Sequence, residues 1–401
     1  MEKIYIYYKN ELLGYLFIDK SKGDEYYFFQ YSSNAIKNNL TNIILDPNIY
    51  PILEKQFMNN PKQLFPFISD CCPDRWGRNL ILRNEIHQAS LEKRSKHKLF
   101  ESDFLLGLSD ELRMGALQFK LDENGEYVSS GKDIPPMVYL RKLEDAAYDI
   151  DELDENINIL LSPGSSLGGA RPKANVYDNE KQLWIAKFPH KHDEYDIQGY
   201  EKVVNDLAKL VGINVPESKL IKLSDKGNTF LVKRFDRDHD ERIHFSSFMS
   251  LLGANDGESS LYSYLDLVTK IKAISNKPNQ DLLELFKRVA FNIIICNGDD
   301  HLRNHGMLYK DKEWSLAPCY DINPSLDKYN LSLNIDENNS NFDLNILIKT
   351  ARYYQLDENK AKQIIDDMIN IVKNKFIDIA NSYHLPLKQS KLFFNNFTLT
   401  Y

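Results

Sequence analysis

Apolar and polar positions alternate through Met1-Glu2-Lys3-Ile4-Tyr5-Ile6-Tyr7-Tyr8-Lys9, a period of two that predicts a strand within an N-terminal hairpin. An Asn-rich connection near Asn34 to Asn42 comes next, and residues Arg78 to Lys98 read as helical. Ala174 to Phe188 reads as two strands around an Asp178-Asn179 turn. The period then lengthens. Ile197, Tyr200, Val204, Leu207 and Val211 share one face of a helix that Gly212 stops. Strands over Ser218 to Leu223 and Thr229 to Phe235 flank the turn Asp225-Lys226-Gly227-Asn228. Beyond residue 236 helical patterns dominate. Asp281 to Ile295 buries Leu282, Leu285, Val289 and Ile293, and Asn359 to Ala380 gathers Ile364, Met368, Ile371, Val372 and Phe376 on one face. The polar run Asn334 to Asn345 reads as a surface loop. The pattern predicts an α+β chain with a mixed segment over 1–150, a strand-rich segment over 151–236 and a mostly helical segment over 237–401.

Candidate chemistry concentrates in Asn297-Gly298-Asp299-Asp300-His301-Leu302-Arg303-Asn304-His305-Gly306, succeeded by Tyr320-Asp321-Ile322. An Asp, an Asn five positions on and a second Asp after a short hairpin are the parts of a phosphoryl-transfer site. Asp299 would orient the attacking hydroxyl and take its proton, while Asn304 and Asp321 would hold a magnesium ion that bridges nucleotide phosphates. A solvated loop is the alternative for the triplet alone, because Asp and Asn are common in turns.

Upstream lies Ser162-Pro163-Gly164-Ser165-Ser166-Leu167-Gly168-Gly169-Ala170-Arg171-Pro172-Lys173. A Walker A loop needs Lys and then Ser or Thr after its last Gly, and Ala170-Arg171 stand there instead. Gly164-Ser165-Ser166-Leu167-Gly168 matches the G-x-S-x-G elbow of hydrolases, which requires a helix directly after the Ser; Pro172 and the strand pattern beyond it argue against one. A phosphate-covering loop fits better, with a flexible Gly/Ser turn still open for the segment alone. Lys187 in Leu183-Trp184-Ile185-Ala186-Lys187-Phe188 stands like the strand lysine of kinases, and Glu201 could pair with it and hold it against phosphates. Each sign is weak, but together they keep the linear order of a kinase.

Several segments give the chain a resemblance to the HipA-like Ser/Thr kinases, toxins of bacterial toxin–antitoxin systems. They are Ser165 to Lys173, Ile185-Ala186-Lys187-Phe188-Pro189, Gly199-Tyr200-Glu201, Arg234-Phe235-Asp236-Arg237, Asn297 to Asn304, Leu316-Ala317-Pro318-Cys319-Tyr320-Asp321-Ile322 and the N-terminal Pro73-Asp74-Arg75-Trp76-Gly77-Arg78. The resemblance implies a two-lobed kinase-like fold: an N-terminal subdomain over 1–150, a nucleotide-binding lobe over 151–236 and a helical catalytic lobe over 237–401. It also implies an ATP- and Mg2+-dependent enzyme that phosphorylates protein hydroxyls, aminoacyl-tRNA synthetases being the family's best-known targets. Residue by residue, Asp299 corresponds to the catalytic Asp, Asn304 and Asp321 to the metal ligands, and Lys187 to the phosphate-binding Lys. His301 would lie close to nucleotide, Gly168, Gly169 and Ala170 would fall in the phosphate loop, Lys233-Arg234-Phe235 would be the hinge that meets adenine, and Asp236 would reach the ribose. Ser165 or Ser166 occupies the region where family members autophosphorylate. Tyr320-Asp321-Ile322 replaces Asp-Phe-Gly and removes the basis for a Phe switch.

Two other readings share parts of this pattern. A small-molecule phosphotransferase of the aminoglycoside or choline kinase kind carries a similar loop, but typically lacks both the N-terminal region and Gly-Gly-Ala-Arg-Pro-Lys. A non-catalytic nucleotide-binding scaffold is opposed by intact Lys187, Asp299, Asn304 and Asp321.

The chain has 401 residues, 42% hydrophobic, which can bury a core for two or three subdomains. A net charge of -8 argues against nucleic acid as the main ligand; the HipA-like resemblance implies a partner helix-turn-helix antitoxin through which DNA would be contacted. No apolar run approaches a membrane span and no signal-peptide core appears, and Cys71, Cys72, Cys296 and Cys319 lack zinc spacing. A reducing cytoplasm is the expected location.

Overall fold

The computed structural model describes residues 1–21, 23–128, 134–149, 155–164 and 171–400. Its elements form two compact units: Met1–Lys191 with Asp236–Ser246, and His192–Phe235 with Ser247–Tyr401. The hairpin Lys173–Tyr177/Leu183–Lys187 belongs to the first unit, and the helix Ile197–Leu210 and hairpin Ser218–Ser224/Gly227–Lys233 belong to the second.

In the first unit, the N-terminal alternation becomes an antiparallel sheet. Strands Glu2–Tyr8, Glu11–Ser21 and Asp24–Tyr31 form a meander, and Leu117–Lys120 pairs with the open edge of the first. The first turn places Lys9 and Asn10 at φ 46° and 65°, the left-handed pair that a two-residue hairpin requires. Ile4, Ile6, Leu16, Ile18 and Phe29 fall on the buried face. The expected helix Arg78 to Lys98 runs instead from Arg75 to Leu91. Lys93 turns left-handed at φ 53° and the Arg94 amide reaches back to the Ala89 carbonyl at 3.0 Å, which closes the helix. Trp76 on this helix is buried and donates its indole N–H to the Lys173 carbonyl at 3.0 Å, a packing role.

Residues Asp236–Ser246 return to this unit although the chain around them lies in the other. Asp236 is fully buried; its Oδ2 accepts the Gly115 amide at 2.8 Å and Arg237 Nη1 at 2.7 Å. Gly115 has φ +73°, and a Cβ there would come within 3.1 Å of the Phe245 amide, so glycine is required.

In the second unit, Pro278 opens a helix that runs to Ile294, and Cys296 ends it at φ 56° while the Asn297 amide bonds the Asn292 carbonyl at 2.8 Å. Glu358–Ser382 forms the long helix expected near the C-terminus. Its buried stripe is Ile365, Met368, Ile369, Val372 and Phe376; Ile364 and Ile371, expected on that face, are half-buried at its edge because the i, i+3, i+4 spacing centres one residue over. All four cysteines are buried free thiols, and among the described residues no helix is long and apolar enough to cross a membrane.

Replacing Asp236 by Ala should cost about 3 kcal/mol, since it strands a buried amide and a guanidinium that lose one shared acceptor. A lowered urea midpoint at unchanged slope checks this.

Candidate active site

The loop after Pro278–Ile294 is shaped by one close approach. A Cβ on Gly298 would meet Lys328 Cβ at 2.4 Å and the Asn330 carbonyl at 2.9 Å, so the residue before Asp299 must be glycine. Ser332 Oγ donates to the Gly298 carbonyl at 2.8 Å and fixes the same point. From there two adjacent aspartates take opposite environments. Asp299 is exposed, and its carboxylate makes no hydrogen bond or ion pair with the described residues. Asp300 is 3% exposed and accepts from the Tyr264 hydroxyl and from His305 Nε2, the latter at 2.7 Å. Burial alone would push the Asp300 carboxyl up, but the His305 ring and the Tyr264 hydroxyl outweigh it and hold it below the usual carboxylate range. Burial and the adjacent Asp300 carboxylate together drive the Tyr264 phenol well above its ordinary value.

His301 opens a 3-10 turn over Leu302–Asn304, and its carbonyl takes the Asn304 amide at 2.8 Å. Asn304 is buried, and its Nδ2 donates to the Asp299 carbonyl at 3.1 Å. That bond fixes the amide flip and leaves Oδ1, which bonds none of the described residues, as a ligand oxygen.

The hairpin Gly306–Lys310/Glu313–Leu316 carries the chain to Asp321. Arg288 Nη2 holds the Ala317 carbonyl at 2.8 Å, the Tyr320 hydroxyl bonds the Arg303 carbonyl at 2.5 Å, and the Tyr320 ring packs on Phe235 at 5.3 Å between centroids. Asp321 has φ +58°, a left-handed backbone that is strained for a residue with a Cβ, and Asn323 Nδ2 donates to its Oδ1 at 3.3 Å. Asn323 Oδ1 is buried without a hydrogen-bond partner among the described residues.

The donors offered by Asn304, Asp321 and Asn323 are amide and carboxylate oxygens, and among the described residues no group of three or more His, Cys, Asp and Glu could hold a metal. Hard oxygen donors with room for water suit magnesium and not zinc.

Asp299, His301, Asn304, Asp321, Glu201, Arg234 and Phe235 thus fall in the second unit, Lys187 and Asp236 in the first. Glu201 and Arg234 are buried. Asp236 Oδ2 is engaged inside its own unit by the Gly115 amide and Arg237. Gly168, Gly169, Ala170, Ser165 and Ser166 lie outside the described residues. Before them stands the helix Glu155–Gly164 and after them the strand Lys173–Tyr177, so the helix that a hydrolase elbow needs after its Ser is replaced by a strand. Lys173 and Lys187 are direct cross-strand partners, which puts two cations on one face of the hairpin. Sequence reasoning missed Lys173, Asp300 and Asn323. Only the register shows the first, and the spacing that singles out Asp299 says nothing of the burial of Asp300 beside it.

The fold is α+β and is shared with a solved structure of HipA from Shewanella oneidensis in complex with HipB and its operator DNA: TM-score 0.68 at 16% identity, covering 98% of this chain and 96% of that one. The family model of the HipA-like C-terminal domain matches residues 165–376, more than half of the sequence, and the chain belongs to that family. Two Sinorhizobium fredii proteins are similar to it: "Putative kinase Y4dM", 26% identical across 48% of this chain and 53% of its own length, and "Putative kinase Y4mE", 30% identical across 34% and 33%. The chain thus spans about half, or less, of the length of these relatives.

Asp300→Asn should destabilise the protein by about 3 kcal/mol at neutral pH. Because the folded-state pKa is depressed, the unfolded chain binds more protons around pH 4, and the wild-type advantage should shrink as pH falls below about 5 and through the lowered folded value. Urea titrations of both proteins across that range measure it.

Proposed function

We propose that this chain is an ATP- and magnesium-dependent kinase that phosphorylates Ser or Thr hydroxyls of a protein. The observation that carries the reading is the pairing of an exposed Asp299 carboxylate, unengaged among the described residues, with a buried Asn304 amide whose Nδ2 is tied to the Asp299 carbonyl and whose Oδ1 bonds none of the described residues. Asp299 orients the acceptor hydroxyl and takes its proton as the bond to phosphorus forms. Asn304 Oδ1 and the Asp321 carboxylate hold magnesium, which neutralises phosphate charge. Lys187 and its cross-strand neighbour Lys173 receive phosphate oxygens. Gly168, Gly169 and Ala170 supply amides to the same phosphates, and Arg234 and Phe235 meet the base, with the Phe235 ring braced by Tyr320. His301, half-buried at the start of the 3-10 turn, stands close to nucleotide.

On this reading the chain is a cytoplasmic toxin whose target is a translation component such as an aminoacyl-tRNA synthetase. Its partner is then a helix-turn-helix antitoxin that supplies the basic surface an acidic chain of net charge -8 lacks. Ser165 or Ser166 is an autophosphorylation site; a phosphoserine adds about -1.5 to -2 charges where nucleotide phosphates must sit and closes the site.

Asp299→Asn should lose about 10²–10⁴-fold in phosphotransfer while still binding ATP, and Asp321→Asn should also weaken magnesium–nucleotide binding. Single-turnover transfer together with calorimetric ATP binding separates the two; near-wild-type transfer by Asp299→Asn sinks the assignment. Expression of the wild-type chain alone should arrest growth and either variant should relieve it. Peptide mapping after incubation with ATP and magnesium should find phosphate on Ser165 or Ser166.

A further inference from the structure

The segment after Asp321 is built into the catalytic loop along its whole length. The Ser325 amide bonds the Cys296 carbonyl at 3.2 Å, Ser332 Oγ the Gly298 carbonyl at 2.8 Å, and the Tyr264 amide the Asn334 carbonyl at 2.9 Å. Leu331, Leu333 and Ile335 are buried beneath it, so even the polar run expected to be a surface loop is anchored at its start. In a kinase-like order, the segment downstream of the metal-binding Asp is where an acceptor comes to rest. Here it is held by apolar side chains and main-chain bonds, with no cationic cluster waiting for a phosphate among the described residues.

One stretch of it, Asp327 to Asn330, is exposed. Lys328 stands on Gly298, the residue before Asp299, with its Cβ 2.4 Å from where a Gly298 Cβ would be. Its ammonium has no partner among the described residues, and Tyr329 beside it is 82% exposed. The neighbouring cation Arg303 is already engaged with Asp256 at 3.3 Å. A free cation on a rigid base beside a free carboxylate fixes the local sign of charge. Asp299 repels an anionic acceptor, and Lys328 offsets that repulsion only for a carboxylate placed next to the hydroxyl.

Resting on the kinase reading above, we propose that Lys328 and Tyr329 form the acceptor-docking strip of this protein, and that Lys328 selects protein acceptors with an acidic side chain close to the target hydroxyl. Tyr329 gives the bound segment an apolar ring to lie on.

The test uses matched serine peptides that carry Glu, Gln or Lys at each position flanking the serine, offered to the full chain, to Lys328→Ala and to Lys328→Glu. The wild type should favour one Glu peptide over its Gln counterpart by up to about fivefold in kcat/KM, the scale of an exposed charge pair. Lys328→Ala should abolish that preference and Lys328→Glu should turn it towards the Lys peptide, with KM for ATP unchanged in both. A Glu preference that survives in Lys328→Glu, no preference in the wild type, or a loss confined to KM for ATP overturns the docking strip and leaves the kinase intact. Absence of transfer from ATP to any peptide, and to the chain itself, overturns the kinase reading and the strip with it.

Discussion

The Asp300 carboxylate is the charge on which the second unit is arranged. A buried carboxylate is tolerated only when its oxygens are satisfied, and here the Tyr264 hydroxyl and the His305 ring do so from opposite sides in the sequence. Tyr264 is the first residue of the helix Tyr264–Ile274, capped by Ser263 and Asp266, and its amide also holds the segment after Asp321 at Asn334. One buried group therefore ties the loop at Asp299, a helix start and the segment after Asp321 together. Asp300 is pinned inward while Asp299, in the turn just before it, stays exposed.

Periodicity made most elements of both units legible, because strand and helix faces are local properties of the chain. The spacing of Asp299, Asn304 and Asp321 was legible for a similar reason: a loop and a hairpin of fixed length dictate it. What escaped was set by residues far away. Nothing near Asp300 announces Tyr264, 36 positions earlier, and nothing near Asp236 announces the Gly115 amide that occupies it, 121 positions away. The return of Asp236–Ser246 to the first unit is a long-range event of the same kind, as is the pairing of Lys173 with Lys187. The helix ending at Leu91 was overread because Lys93 turns left-handed without a glycine or asparagine to signal it.

Overall charge was a weak guide to local charge. The chain is acidic at -8, yet its hairpin sets two lysines opposite each other, and Lys328 stands free beside the catalytic loop. Net charge governs what the molecule meets at a distance, screened within about 10 Å in ordinary salt, whereas ligand choice is set by the few groups inside that range. An acidic protein can thus handle phosphates and still avoid indiscriminate contact with nucleic acid.

The left-handed backbone at Asp321 limits how this site can decay. Of the residues that lack a carboxylate, Gly and Asn adopt that conformation at little cost, whereas a branched side chain there must displace the turn itself. A lineage that gave up catalysis while keeping the fold would therefore pass most easily through Asn or Gly at this position. Descendants that lost the fold as well should carry bulkier replacements. The residue found at 321 in a degenerate copy would then record whether its shape, and not only its chemistry, remained under selection.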